Sequence, residues 1–331
     1  MAEVVHYVDN IGTCGGRTPC YAAILDAWNA ASPSDTIAVF PGVYLDVTLS
    51  GKSDISLQAH QRDAKPVIAP ALPLERASNV RVADFFIAGA VSVYGGFDVS
   101  FEGNRATSMW FSGGGGATLR GNVVTVGPIR MERPAGDFLI EENVVLGGGV
   151  VLGMGEEAVL NGVIRANIVL GGISIVGENV RGNTIEANWI DGGGIAMTGS
   201  GIGPLAFENT IRANIVLGGG LSLSAGSGFG GAVSSNRIEH NGVLASPGKG
   251  ISLSARPGGG AVANQVALNL VLAGADDGIY VDNPGAPNPN VFRQNTSILN
   301  QGCDANDVSA SPNVWEQNRF ATACGIATSN R

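Results

Sequence analysis

The sequence predicts an all-β fold, a single-stranded parallel β-helix (solenoid) of about ten coils with an N-terminal capping helix. Three observations carry that expectation. The first is a repeat. Asn183 to Thr198 reads NTIEANWIDGGGIAMT, Asn209 to Ser224 reads NTIRANIVLGGGLSLS, and Asn161 to Val176 reads NGVIRANIVLGGISIV, with looser copies from Asn236, Asn264, Asn290 and Asn313. The second Asn of the unit falls at 143, 167, 188, 214, 241, 269, 295 and 318, with weaker anchors at Asn104 and Asn122, a period of 18 to 28 residues. A period of that size marks stacked repeats. The second observation is run length. Within a unit the apolar runs are TI, IVL and LSLS, too short for helices and rich in β-branched residues, so each is a strand pairing with its counterpart one coil away. The third is the corners. An Asn at each could form a side-chain amide ladder between coils while its own backbone takes a left-handed turn, and the 50 glycines serve corners of positive φ. A phosphate-cradling Gly loop fits poorly, because these glycines recur in every coil instead of once before a helix.

Taken in order, residues 1–46 read as an N-terminal cap. Thr18 is the expected N-cap of a helix with Pro19 at its first position and Ile24, Leu25 and Trp28 on its apolar face. Laid across the open solenoid end, such a helix would shield unpaired strand edges. Residues 47–331 read as the β-helix, one elongated domain on the order of 50 Å long at about 4.8 Å per coil. Insertions after the third strand, at Gly199–Phe207, Ala225–Ser235 and Ala255–Ala263, account for the variable coil length.

Four cysteines allow three pairings. The two ends of such a rod lie tens of ångströms apart, whereas a disulfide needs Cα atoms within about 7 Å. That leaves Cys14–Cys20 and Cys303–Cys324, the latter stapling the last coil. Two disulfides suit an oxidising compartment; four reduced, buried cysteines are the alternative. The start, MAEVVHYVDN, has no signal-peptide pattern and reads either as a native cytoplasmic start or as an added Met on a trimmed mature protein. The cysteines favour the second, so the expectation is a secreted, periplasmic or cell-surface protein whose signal peptide is absent from this chain. No apolar run approaches the about 18 residues of a transmembrane helix, and no membrane insertion is expected.

The Asn-anchored units, together with the turn Pro41-Gly42-Val43-Tyr44, resemble the right-handed parallel β-helix repeats of the pectin-lyase-like superfamily. The resemblance covers nearly the whole chain and implies the right-handed winding. It also implies a range of activities, since that superfamily holds polysaccharide lyases, polygalacturonases, pectin methylesterases, uronan epimerases, tailspikes and adhesins. Fold does not choose among them. The His-containing signatures of polygalacturonases and epimerases are absent here, and His6, His60 and His240 are too dispersed for metal-ligand spacing.

Strand alternation places the functional face. In the third strand of successive coils Ile173, Ile175, Ile195, Met197, Leu221, Leu223, Ile251, Leu253, Ile279 and Val281 point inward. Outward go Ser174, Val176, Ala196, Thr198, Ser222, Ser224, Ser252 and Ser254, then Tyr280 and Asp282, while Arg130 and Glu132 occupy the equivalent strand nearer the N-terminus. Thr198, Ser222, Ser224, Ser252, Ser254 and Tyr280 are therefore the expected glycan-binding residues. The one local concentration of acids is GADDGIYVDN. Asp276, Asp277 and Asp282 are the candidate catalytic acid and base, and Asp276 with Asp277 could hold calcium through hard oxygen ligands. Asp277-Gly278 also occupies the corner taken by glycine in other coils, so a turn is the competing account. Arg130, Glu132 and Arg133, with Glu141 and Glu142 nearby, are a second candidate cluster, for which a solvated, ion-paired edge is the favoured account.

The strand after the Asn is apolar at every position, as in Ile168-Val169-Leu170 and Ile215-Val216-Leu217. One apolar row must face outward, and a row of that size calls for a cover, either the corner insertions or a second copy. A homo-oligomer, dimer or trimer, is the expectation. A net charge of −9 and a pI near 4.8 disfavour nucleic acid and any polyanion not bridged by a cation. The sequence thus supports an exported protein acting on polysaccharide as a lyase- or hydrolase-type enzyme with an acidic site. The alternative is a non-catalytic glycan-binding, adhesin-like or structural surface protein.

Overall fold

Among the described residues, two-to-five-residue strands separated by tight corners build most of the structure, and their pairings are parallel. The computed structural model describes residues 3–133, 136–153, 157–200, 204–225, 231–255, 259–282, 288–310 and 312–326. By Cα packing the chain divides into two units, Met1–Gly147 and Gly148–Arg331.

In the first unit three parallel sheets take one strand each from every coil. Arg81–Ala83, Ser100–Glu102 and Thr118–Arg120 stack in the first sheet, Phe86–Ile87, Arg105–Ala106 and Val123–Val124 in the second, and Ala90–Tyr94, Ser108–Ser112 and Ile129–Glu132 in the third. The one α-helix among the described residues, Ile24–Ala30, packs against strands Val5–Val8, Cys20–Tyr21 and Thr36–Val39. Ile24 and Trp28 are buried, and Trp28 donates its indole N–H to the Ser50 carbonyl. The helix does not start at Pro19, and Thr18 is not its N-cap. Ala23 takes that position, because Cys20 and Tyr21 pair with Tyr7 and Val8 as a strand and the Pro19 carbonyl accepts the Tyr7 N–H. Backbone hydrogen bonds to a neighbouring strand outweigh a local helix-start signal here.

The second unit continues the three-strand scheme and adds a fourth sheet. Ala158–Leu160, Asn179–Arg181, Pro204–Phe207, Ala232–Ser234 and Gly260–Val262 pair in parallel, burying Val159, Val180, Leu205, Val233 and Ala261. The corner insertions are therefore strand-forming on their return leg, where a buried apolar residue sits mid-strand. Their outer parts, 201–203, 226–230 and 256–258, lie outside the described residues.

Two ladders of asparagine, all buried except the half-buried Asn318, run along this unit, one on each side of the first sheet. Asn183, Asn209, Asn236, Asn264, Asn290 and Asn313 form one, and Asn167, Asn188, Asn214, Asn241, Asn269, Asn295 and Asn318 the other. From Asn209 in the first and Asn188 in the second, each Oδ1 accepts both the backbone N–H and the side-chain amide of the preceding coil's Asn, at 2.8–3.1 Å. The left-handed residue is not the Asn itself but the one before it: Ala187, Ala213, His240 and Leu268 have φ of 54°, 53°, 59° and 57°. That conformation costs a non-glycine residue about 1–2 kcal/mol, and the hydrogen bonds that each ladder Asn makes hold it in place. Nor do the corner glycines all answer to positive φ. At Gly194 and Gly220 a Cβ would strike the carbonyl of the next coil, at Gly220 and Lys249 respectively, so close coil stacking excludes a side chain there.

The interior is filled by the expected inward rows, with Ile173, Ile175, Ile195, Met197, Leu221, Leu223, Ile251, Leu253, Ile279 and Val281 all buried. In the second sheet Val169, Ile190, Val216 and Val271 fill the core, while Ile168, Trp189, Ile215 and Leu270 stand 40–46% exposed in one register row. Both expected disulfides form, with Cα separations of 5.9 Å at Cys14–Cys20 and 6.0 Å at Cys303–Cys324.

Candidate active site groove

The third sheet of the second unit carries a groove of about 560 Å³. Its strands begin at a corner where Gly172, Gly194 and Gly220 stack, so the groove edge there has no side chains. Outward-facing Ser174, Ala196, Ser222 and Ser252 then form a floor of small residues. Alternation produces this pattern, because the residues between them are committed to the core.

One end of the groove breaks the small-residue rule. In the next corner Ser246, Pro247, Gly248 and Lys249 rise as a wall, and Asp276 closes the line beyond it. Ser246 donates its hydroxyl to the Lys249 carbonyl at 3.0 Å, and the Gly250 N–H donates to the Asp277 carbonyl at 2.9 Å, so the corner is pinned from two sides. The Lys249 Nζ lies 3.0 Å from the centroid of the Tyr280 ring, an ammonium over an aromatic face. Tyr280 sits in register with Ser252, and Asp282 with Ser254. Partial burial raises the Tyr280 hydroxyl above the ordinary phenol value, and the negative charges of Asp282, Asp277 and Asp276 push it the same way. The phenol therefore stays protonated at neutral pH.

The structure separates the expected site residues. Ser222, Ser252 and Asp276 line the groove. Tyr280 lies beneath Lys249, and Asp282 neighbours the Tyr280 hydroxyl. Thr198, Ser224 and Ser254 share one register row of the same face, and the Thr198 and Ser224 hydroxyls are hydrogen-bonded at 3.1 Å. Asp277 is different. It is buried, its Oδ1 accepts the Cys303 N–H at 2.8 Å, and its Oδ2 accepts the Asn306 side-chain amide at 2.9 Å. That is a corner brace next to the Cys303–Cys324 bond. Among the described residues no group of three or more His, Cys, Asp or Glu is arranged to hold a metal ion.

Lys249 is the groove residue that sequence reasoning passed over. A signal was present, since it is the only lysine after residue 65 and takes the position that two neighbouring coils fill with Gly193 and Gly219. Its meaning depends on where the corner points, which the repeat alone does not give.

No protein-family model matches the chain, and no curated protein matches it. Solved structures do. The catalytic domain of Agl-KA superposes with a TM-score of 0.52 at 10% identity over 92% of this chain and 64% of that one. The PL6 family alginate lyase AlyGC gives 0.51 at 13% identity over 94% and 53%. The family 28 exopolygalacturonase of Yersinia enterocolitica gives 0.50 at 10% identity over 100% and 79%. The chain thus spans less than two thirds of the length of the first two. At these identities the likeness is one of fold. With the coil architecture and the Asn ladders it establishes that the chain has a parallel β-helix fold.

Proposed function

We propose that the protein acts on polysaccharide in the groove of residues 148–282, cleaving the chain as a lyase or hydrolase. The observation that carries this reading is that Lys249 and Asp276, an ammonium and a carboxylate, line one end of a small-residue groove, with the Tyr280 ring against the Lys249 ammonium. A floor of Gly, Ser and Ala accepts a run of sugar rings. The three polar groups supply what glycosidic-bond chemistry needs: positive charge to stabilise a developing anion, a proton donor near the leaving oxygen, and a proton acceptor. Asp282 tunes the phenol, and Asp277 holds the corner instead of contacting substrate. Two of the structures with this fold bear the names alginate lyase and exopolygalacturonase, which supports a polysaccharide substrate. The reading includes export, favoured by the two disulfides, right-handed winding, residues 1–46 as an end cap, and self-association through the exposed row Ile168, Trp189, Ile215 and Leu270. A non-catalytic glycan binder is the second reading, favoured by the commitment of Asp277 to structure.

The test is the chain-length distribution of a panel of neutral and acidic polysaccharides after incubation with the protein, with calcium and with chelator. Shortening of at least one glycan is expected, with rates reduced about 100-fold or more in Lys249→Met or Tyr280→Phe. Unchanged chains across the panel would sink the enzymatic reading and leave the binder.

A further inference from the structure

The first unit carries a second feature on its strands of the third sheet. Trp110 stands outward in strand Ser108–Ser112 with its indole 36% exposed. Tyr94, 39% exposed, meets it edge-to-face, with ring centroids 5.4 Å apart and planes at 72°. In register with Trp110 on the next strand is Arg130, and Glu132 follows two residues on, beside Ser112. The Arg130 Nε and Glu132 Oε1 are 2.9 Å apart. Together with Ser108 and Pro128, Trp110, Arg130 and Glu132 line a cavity of about 330 Å³. We infer that Trp110, Tyr94, Arg130 and Glu132 form a binding site for the pyranose ring of a neutral oligosaccharide.

The chemistry of the four residues selects that ligand. An aromatic face left in water is a cost unless something apolar covers it, and the Tyr94 edge fixes the indole orientation. A sugar ring offers one C–H face for the indole and a rim of hydroxyls for the charged pair, which supplies donors from the guanidinium and acceptors from the carboxylate. The pair is neutral in sum, and Glu75 beside Tyr94 adds negative charge, so a polyanion is disfavoured. The volume lies at the small end of ligand pockets, matching one ring or two. This site stands apart from the reading of the 148–282 groove, and neither depends on the other.

The test is tryptophan fluorescence titration with neutral β- and α-linked gluco-, xylo- and manno-oligosaccharides. Trp28 and Trp315 are buried and Trp189 belongs to the second unit, so Trp110 is the reporter. Saturable quenching is expected for at least one sugar. It should disappear in Trp110→Phe, whose ring retains the packing on Tyr94, and calorimetry on Trp110→Ala should show affinity at least tenfold weaker. Trp189→Phe should leave both unchanged, and circular dichroism checks the fold of each variant. Absence of binding by the wild type across the panel, or equal affinity in Trp110→Ala, overturns the site. So does a change in sedimentation coefficient on Trp110→Ala without any sugar effect, which would make the aromatic pair a contact between copies. Cleavage of polysaccharide by the Trp110 variants, or its absence in all proteins, reports only on the groove.

Discussion

Replacing Asn214 by leucine tests the physical basis of the coil stack. Asn214 is fully buried, and its Oδ1 accepts the Asn188 N–H and the Asn188 side-chain amide, both at 3.0 Å. Its own amide donates to Asn241 Oδ1 at 3.0 Å and to the carbonyls of Ile185 and Arg212 at 2.9 and 3.0 Å. Leucine has nearly the same shape but none of these partners. Asn241 Oδ1 keeps the Asn214 backbone N–H, so the chief losses are two orphaned donors on Asn188. A buried donor stripped of its acceptor costs about 1–3 kcal/mol. Against that, leucine gains apolar burial. The net expectation is a destabilisation of about 3 kcal/mol, with further strain at Ala213, whose left-handed φ of 53° the ladder supports. Equilibrium urea denaturation of the purified variant measures it. A loss below about 1 kcal/mol would refute the view that the ladder holds the corners.

Other expectations follow from buried or cross-linked groups. Burial raises Tyr44 to about 12, and its hydroxyl donates to the Phe40 carbonyl at 2.9 Å. The unfolded chain releases this proton near pH 10 and the folded chain keeps it to about 12, so stability falls as pH rises between those values, by about 2–3 kcal/mol in all; denaturant midpoints for Tyr44→Phe should lack that slope. Opening the Cys303–Cys324 bond, whose partners are 21 residues apart, should cost about 3 kcal/mol by loop entropy. Cys303→Ser with Cys324→Ser, compared by calorimetry with the wild type, checks this, and an unchanged Tm contradicts it. Asp304 is buried yet held below its ordinary value: burial alone would raise it, but hydrogen bonds from Asn300 and Thr322 outweigh that. Its contribution is present above the unfolded carboxylate value and is lost as pH falls below it, so Asp304→Asn should flatten part of the acid unfolding curve.

The fold was legible because parallel coils repeat their chemistry. Asn188, Asn214 and Asn241 mark the same corner in successive units, and IVL beside LSLS distinguishes a strand with an apolar outer row from one with a small-residue face. Pro19 misled because its helix-start signal is local, whereas the pairing of Cys20 with Tyr7 is set by a strand 13 positions earlier. The fourth sheet was hidden for a related reason: PLAF, AVS and GAV are too short and too varied to read as strands until each is stacked on the last. At the site, alternation placed Ser222, Ser252 and Tyr280 on one face. It could not show that Asp277 turns inward to Cys303 and Asn306, nor that Lys249 reaches across its corner to Tyr280, because corner geometry is not periodic.

The most direct test of the central claim is a crystal structure with an oligosaccharide from whichever glycan the protein shortens or binds. The account predicts sugar density along Gly172, Gly194 and Gly220, with an oxygen within hydrogen-bond distance of the Lys249 Nζ. Density at another face with this groove empty, at a concentration that saturates activity or binding, would contradict it.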